Sequence, residues 1–308
     1  MKHLHLLLTS VLISVVPLFQ QAHAIAPGSC TIVTTTSIIA DTTRALVGKA
    51  CKVHSLMNAG VDPHLYSPSP RDLRSLMHAD IIIHNGLHLE GKMSELLEKL
   101  SKRKPVLEAA STLSHEQLIA SAQNARIVDP HIWLDVSLWR RASKAIYTGL
   151  SSLLPQHQET ITKHFTTWSE ELHALDTWTK SQLQRIPQQQ RILVTAHDAF
   201  GYFGRAYDIE VLAIQGISTE SEASLHGINA LVNTLVSKRI PTVFIENTIS
   251  PKSIQSLIAG ARARDHHVII GGQLLGDALG EQGTAGDTYQ GMIRHNVNTI
   301  VTGLLSKG

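Results

Sequence analysis

Apolar residues in this chain gather into short runs that alternate with segments of helical period. In the first half, residues 32–36, 53–57, 81–84 and 106–107 read as strands, short and rich in Ile, Val and Thr. Between them, residues 38–47, 70–77 and 92–100 space their apolar positions three and four apart, as a one-sided helix does. Ser69 and Pro70 give the second of these helices an N-cap and a first-turn proline. The second half repeats the plan, with strands at 192–195, 211–214, 243–245 and 268–270 and helices at 199–207, 222–237, 251–263 and 289–305. Such alternation predicts an α/β fold with an open, mostly parallel sheet in each half.

Between the halves, residues 156–186 contain no Gly or Pro. There Ile161, Phe165, Trp168, Leu172, Leu175, Trp178 and Leu183 recur at helical spacing. The pattern predicts one helix of about 31 residues, roughly 45 Å long at 1.5 Å per residue, crossing from one lobe to the other. Two helices with a bend are the alternative. The expected division is a signal peptide at 1–24, an N-terminal α/β lobe at 25–154, a rigid linking helix at 155–187 and a C-terminal α/β lobe at 188–308.

The start of the chain bears on location. Lys2, the apolar stretch from Leu6 to Phe19 and the small-residue pattern Ala22-His23-Ala24 make a secretory signal, too short for a comfortable membrane span. The protein is therefore expected in the periplasm, with anchorage by an uncleaved signal as the alternative. With 308 residues, 43% hydrophobic and 17% charged, the chain has enough apolar material for two cores. A net charge of +2 gives no electrostatic footprint for nucleic acid. Cys30 and Cys51 stand at the starts of two strands joined by one helix. In a βαβ unit those strands are parallel neighbours, so the cysteines lie side by side. Export then favours a disulfide over two buried thiols. Pro27-Gly28-Ser29 before Cys30 lacks the aliphatic residue of a lipidation box.

The candidate chemistry is imidazole. Asp62-Pro63-His64 and Asp129-Pro130-His131 repeat one tripeptide, and His197 closes the strand that includes Thr195. Asp277 follows the last strand, in Gly276-Asp277-Ala278-Leu279. Ligands of open parallel sheets bind beyond the carboxyl ends of the strands, where these residues fall. His64 and His131 belong to the first half, His197 and Asp277 to the second, so two facing lobes bring all four into one cleft. Three neutral imidazoles and one carboxylate make a near-complete tetrahedral shell for Zn²⁺. His84 and His88 are rival ligands; His157, His164 and His173 fall on the long helix and read as solvated; His266 and His267 precede a strand. Asp62 and Asp129 either turn the chain or orient a second ring nitrogen. Glu246 either supports the site or forms an ordinary ion pair, and Arg205 braces Tyr207 or a lobe contact.

Several segments together resemble the metal-binding solute receptors of ABC importers, in the zinc and manganese branch known as cluster A-I. They are Gly60-Val61-Asp62-Pro63-His64, Asn85-Gly86-Leu87-His88-Leu89-Glu90, Asp129-Pro130-His131-Ile132-Trp133-Leu134-Asp135 and Thr195-Ala196-His197-Asp198-Ala199-Phe200-Gly201-Tyr202. Gly271-Gly272-Gln273-Leu274 and Asp277-Ala278-Leu279-Gly280 complete the pattern, which runs over essentially all of the chain after the signal. The resemblance implies two lobes joined by a rigid helix, with one divalent metal held by His64, His131, His197 and Asp277. It also implies delivery of that metal to a membrane permease driven by an ATPase. Zinc-only relatives often carry a His- and Asp-rich loop in the first lobe, whereas residues 114–127 here hold only His115. Manganese-dedicated relatives place a glutamate where this chain has His197. The expected cargo is therefore zinc first, then manganese, then iron. A closed four-ligand shell makes a carrier rather than an enzyme, and the chain is expected to act as a monomer. The competing functions are a secreted zinc hydrolase, for which His-Glu-x-x-His is missing, and a surface adhesin.

Overall fold

The computed structural model describes residues 30–121 and 127–306; the signal peptide predicted at 1–24 lies outside the described residues. The first lobe runs β1 (Cys30–Thr34), α1 (Ser37–Val47), β2 (Cys51–Ser55), α2 (Pro70–His78), β3 (Ile81–His84), α3 (Ser94–Ser101) and β4 (Val106–Glu108). Its four strands form one parallel sheet in the order β2-β1-β3-β4. Cys30 is in register with Cys51, and the two are joined in a disulfide. At the start of α2, the Ser69 side chain accepts the Asp72 N–H and Asp72 accepts the Ser69 N–H, a reciprocal cap ahead of Pro70.

Two consecutive helices follow, α4 (Val136–Leu153) and α5 (Gln158–Leu183). The strand–helix alternation did not anticipate α4. Asp135 caps it by accepting the Leu138 N–H, and Val136, Leu138, Trp139, Ala142, Ile146 and Leu150 form its buried stripe. The linking helix α5 is a single element, shorter than predicted at 26 residues, or about 39 Å. Pro155–His157 is a separate 3₁₀ turn before it. At the other end Ile186 precedes Pro187, where the proline ring disfavours helical backbone.

The second lobe runs β5 (Ile192–His197), α6 (Gly201–Tyr207), β6 (Glu210–Gln215), α7 (Leu225–Lys238), β7 (Thr242–Glu246), α8 (Lys252–Arg262), β8 (Ile269–Leu274) and α9 (Tyr289–Leu305). Its strands pair in parallel as β5-β6 and β7-β8, with β5 lying beside β7. The predicted continuous sheet is interrupted at that seam. There a side chain, Glu246, receives the N–H groups of Ala196 and His197 through Oε1, 2.9 Å each.

One apolar core runs through both lobes. Helix α5 buries Ile161, Trp168, Leu172, Leu175 and Leu183 against α1, α4 and α9, joining Ile38 and Leu46 of the first lobe to Phe203 and Ile293 of the second. A core shared in this way resists free swinging of the lobes. No helix of the described residues is long and apolar enough to cross a membrane.

Candidate metal centre

Two of the four predicted side chains stand at or just past strand ends and two in the Asp-Pro-His turns. His197 is the last residue of β5, and Asp277 lies three residues past the end of β8. His64 follows β2 in a turn where Asp62 Oδ1 accepts the His64 N–H at 2.8 Å. His131 precedes a 3₁₀ turn, Ile132–Leu134, and Asp129 Oδ1 accepts its N–H at 2.9 Å. Proline at the middle position of both tripeptides fixes φ, so each aspartate reaches forward to the N–H of the histidine two residues on.

The structure brings all four together. One ligand atom from each of His64, His131, His197 and Asp277 lies within 4.8 Å of the others, and all four residues are buried. His64 Nε2 is 3.2 Å from His131 Nε2. Asp277 reaches His131 Nε2 at 3.4 Å, His197 Nε2 at 3.2 Å and His64 Nε2 at 3.8 Å. The rival His84 turns away to Glu90, 3.8 Å from its Oε2, and α5 carries His164 to the Leu46 carbonyl. His266 contacts the Ile240 carbonyl.

Outer contacts aim the rings. Asp129 Oδ1 also meets His131 Nδ1 at 2.6 Å, and Glu246 Oε2 lies 2.7 Å from His197 Nδ1. Asp129 accepts from His131 Nδ1 and so presents that ring's Nε2 to Asp277, while the Glu246 carboxylate packs against His197 Nδ1 as a close charged contact. Asp129 thus does both jobs open to it in sequence, whereas Asp62 organises its turn. Glu246 approaches closely because position 276 is glycine; a Cβ there would sit 2.8 Å from Oε2. Arg205 makes the lobe contact, donating to the Gln117 carbonyl at 2.7 Å, with its guanidinium over the Tyr202 ring.

Burial pushes the His64 imidazole down to about 3, so this ring is a neutral donor across the physiological range. For His197 burial acts in the same direction, but the carboxylates of Glu246 and Asp277 outweigh it and raise the group well above its ordinary value. Burial would raise Asp277; the imidazoles, His197 foremost, hold it below the usual carboxylate range instead. Both carboxylate oxygens of Asp277, both ring nitrogens of His197 and Oε2 of Glu246 are buried without a hydrogen-bond partner. Such groups are costly unless a cation or proton answers them.

Two residues that sequence reasoning left without a role hold the Asp277 loop. Trp133 donates from Nε1 to the Gly276 carbonyl across the lobes at 2.7 Å. Asn296, buried on α9, accepts the Leu275 N–H and donates to the Leu275 carbonyl, 2.8 Å each. The available signal was an amide inside the apolar stripe of Met292, Ile293, Val297 and Ile300. The Asn85-to-Glu90 motif acts similarly. Glu90 Oε1 accepts the Thr35 hydroxyl and the Asn85 N–H, and the Asn85 amide donates to the Pro130 carbonyl beside His131.

Over residues 32–303 the chain matches the family described as ZnuA, zinc-uptake complex component A, periplasmic. It belongs to that family. This ZnuA-family chain is 43% identical over 273 residues to the manganese-binding lipoprotein MntA of Bacillus subtilis (strain 168), with 89% of each covered. It is 41% identical over 286 residues to the zinc-binding protein TroA of Treponema pallidum (strain Nichols), covering 93% of this chain and 92% of TroA. It is 32% identical over 314 residues to the metal ABC transporter substrate-binding lipoprotein SloC of Streptococcus mutans serotype c (strain ATCC 700610 / UA159), 99% of each. The solved structure of periplasmic zinc-binding TroA from Treponema pallidum superposes with a TM-score of 0.88 at 40% identity, over 91% of this chain and 100% of that one. The ZnuA-family chain is thus an extracytoplasmic, metal-binding solute-binding protein of ABC importers, not an enzyme. The hydrolase and adhesin readings gain no support.

Proposed function

We propose that His64, His131, His197 and Asp277 enclose one divalent transition metal as cargo, which the protein hands to a permease driven by an ATPase. The lobes that supply these ligands are assigned to residues 25–154 and 188–308, with 155–187 linking them. The observation that carries the ligand set is the convergence of three buried imidazole nitrogens and one buried carboxylate within 4.8 Å. Four protein ligands complete a tetrahedral shell and leave no place for an activated water, which suits retention rather than hydrolysis. Zinc ranks first because three borderline nitrogen donors favour it; manganese and iron follow. Relatives of nearly equal identity are named for manganese and for zinc, so overall likeness does not choose between them. The test is elemental analysis of the protein purified from its own compartment, repeated after His197→Ala. Stoichiometric zinc in the native chain, lost in the variant, is the expected result. Native protein without any stoichiometric transition metal would overturn the assignment.

A further inference from the structure

The two Asp-Pro-His tripeptides are alike in sequence but their aspartates are used differently. Asp129 directs Oδ1 at both the main-chain N–H and the Nδ1 of His131, all within its own lobe. Asp62 uses Oδ1 for the His64 N–H at 2.8 Å and sends Oδ2 across the cleft, where the Thr219 hydroxyl donates to it at 2.6 Å. Thr219 is buried, in the loop between β6 and α7.

Asp62 and Thr219 line one pocket at the cleft, of about 440 Å³. Of the four grouped side chains, only His64 lines a second pocket of about 690 Å³, which Ile217, Ser218 and Glu220, the neighbours of Thr219, also line. An ion leaving through that pocket would pass His64 and the segment that Thr219 fastens to Asp62. We propose that Thr219 and Asp62 form an interlobe latch that retains the bound metal while taking no part in its coordination. The inference rests on the ligand set proposed above. It makes Thr219 a positioning residue that governs how fast metal leaves. The aspartate oxygen that organises the His64 turn is not the one that holds the latch, so the latch can open with the ligand turn intact.

The test loads the full mature chain with Co²⁺ and follows its visible absorption during release into excess EDTA, for wild type and for Thr219→Val, Thr219→Ala and Thr219→Ser. The expected result is an unchanged tetrahedral Co²⁺ spectrum in all four. Release should quicken about tenfold or more in the Val and Ala variants, the range for a lost hydrogen bond to a charged acceptor, and stay near wild type in the Ser variant. Wild-type release rates in both Val and Ala variants would overturn the latch and leave the ligand set standing. A wild-type chain that takes up no Co²⁺ would overturn the ligand set and the latch with it. Val and Ala variants with altered spectra would overturn the separation of latch from coordination.

Discussion

Glu246 Oε2 lies 2.7 Å from His197 Nδ1, while Oε1 of the same carboxylate accepts the N–H groups of Ala196 and His197. One buried side chain therefore holds the main chain of His197, lies against its ring and bridges the seam between β5 and β7. Replacing it by alanine frees the imidazole and orphans two buried N–H donors. Glu246→Ala is expected to weaken zinc binding by about 10- to 100-fold, as for other outer partners of metal-bound histidines. Glu246→Gln, which keeps one carbonyl acceptor, should lose less. Competition titration against a chromogenic chelator reads both; equal affinity in Ala and wild type would show that the contact does not aim the ring.

Much of this centre is legible in sequence because its residues stand at turns and strand ends that local chemistry marks. A proline before His64 and before His131 announces a turn, and His197 ends an uninterrupted buried strand. The disulfide is legible for a similar reason: a single helix between two strands puts Cys30 beside Cys51. Helix α4 is obscured because it breaks the alternation of strands and helices, although Val136, Trp139, Ala142 and Ile146 carry a helical stripe. The split in the second sheet has no local signature at all. Glu246, which receives N–H groups at that seam, is 50 residues from Ala196 in the chain, and only the folded arrangement brings them together. The latch residue Thr219 is equally silent, since nothing around it distinguishes it from an ordinary loop threonine.

The disulfide sits at the amino ends of β1 and β2, while His64 follows the carboxyl end of β2. Stability and metal affinity should therefore separate. The crosslink spans a sequence separation of 21 residues, and loop-closure entropy gives it about 3 kcal/mol. Cys30→Ser with Cys51→Ser is expected to lower the free energy of unfolding by about that amount in urea titrations, with zinc affinity close to wild type. A large loss of affinity would mean that the start of the sheet is coupled to the site.

Half-buried His84 and buried Glu90 form a pair whose titration gives a signed expectation. Burial alone would lower His84, but the Glu90 carboxylate outweighs it and raises the group above 6.5. Burial would raise Glu90, but His84 and the hydrogen bonds from Thr35 and Asn85 hold it below 4.5. The histidine's contribution is complete below 6.5 and is lost as pH rises through its raised value. The glutamate's is present above 4.5 and is lost as pH falls through its lowered value. The pair thus stabilises most between those limits. His84→Asn in metal-free protein should cost more unfolding free energy near pH 5.5, about midway in that window, than near pH 8.5. A cost that grows toward the alkaline side would contradict the pairing.

The imidazole of His197 faces acid on both sides, Glu246 at Nδ1 and Asp277 at Nε2. A glutamate in its place would supply the harder oxygen donor that suits Mn²⁺, but it would also press a carboxylate against Glu246. His197→Glu alone should therefore bind both metals poorly. Adding Glu246→Gln removes the like charge and keeps an acceptor for a main-chain N–H. The double variant is expected to recover Mn²⁺ binding and to lower the preference for Zn²⁺ over Mn²⁺ by about tenfold, which needs only about 1.4 kcal/mol of differential binding. Parallel competition titrations with the two metals measure that ratio. If it stays at the wild-type value, nitrogen at position 197 is not what sets the order of metals, and the preference has to come from the geometry that His64, His131 and Asp277 impose.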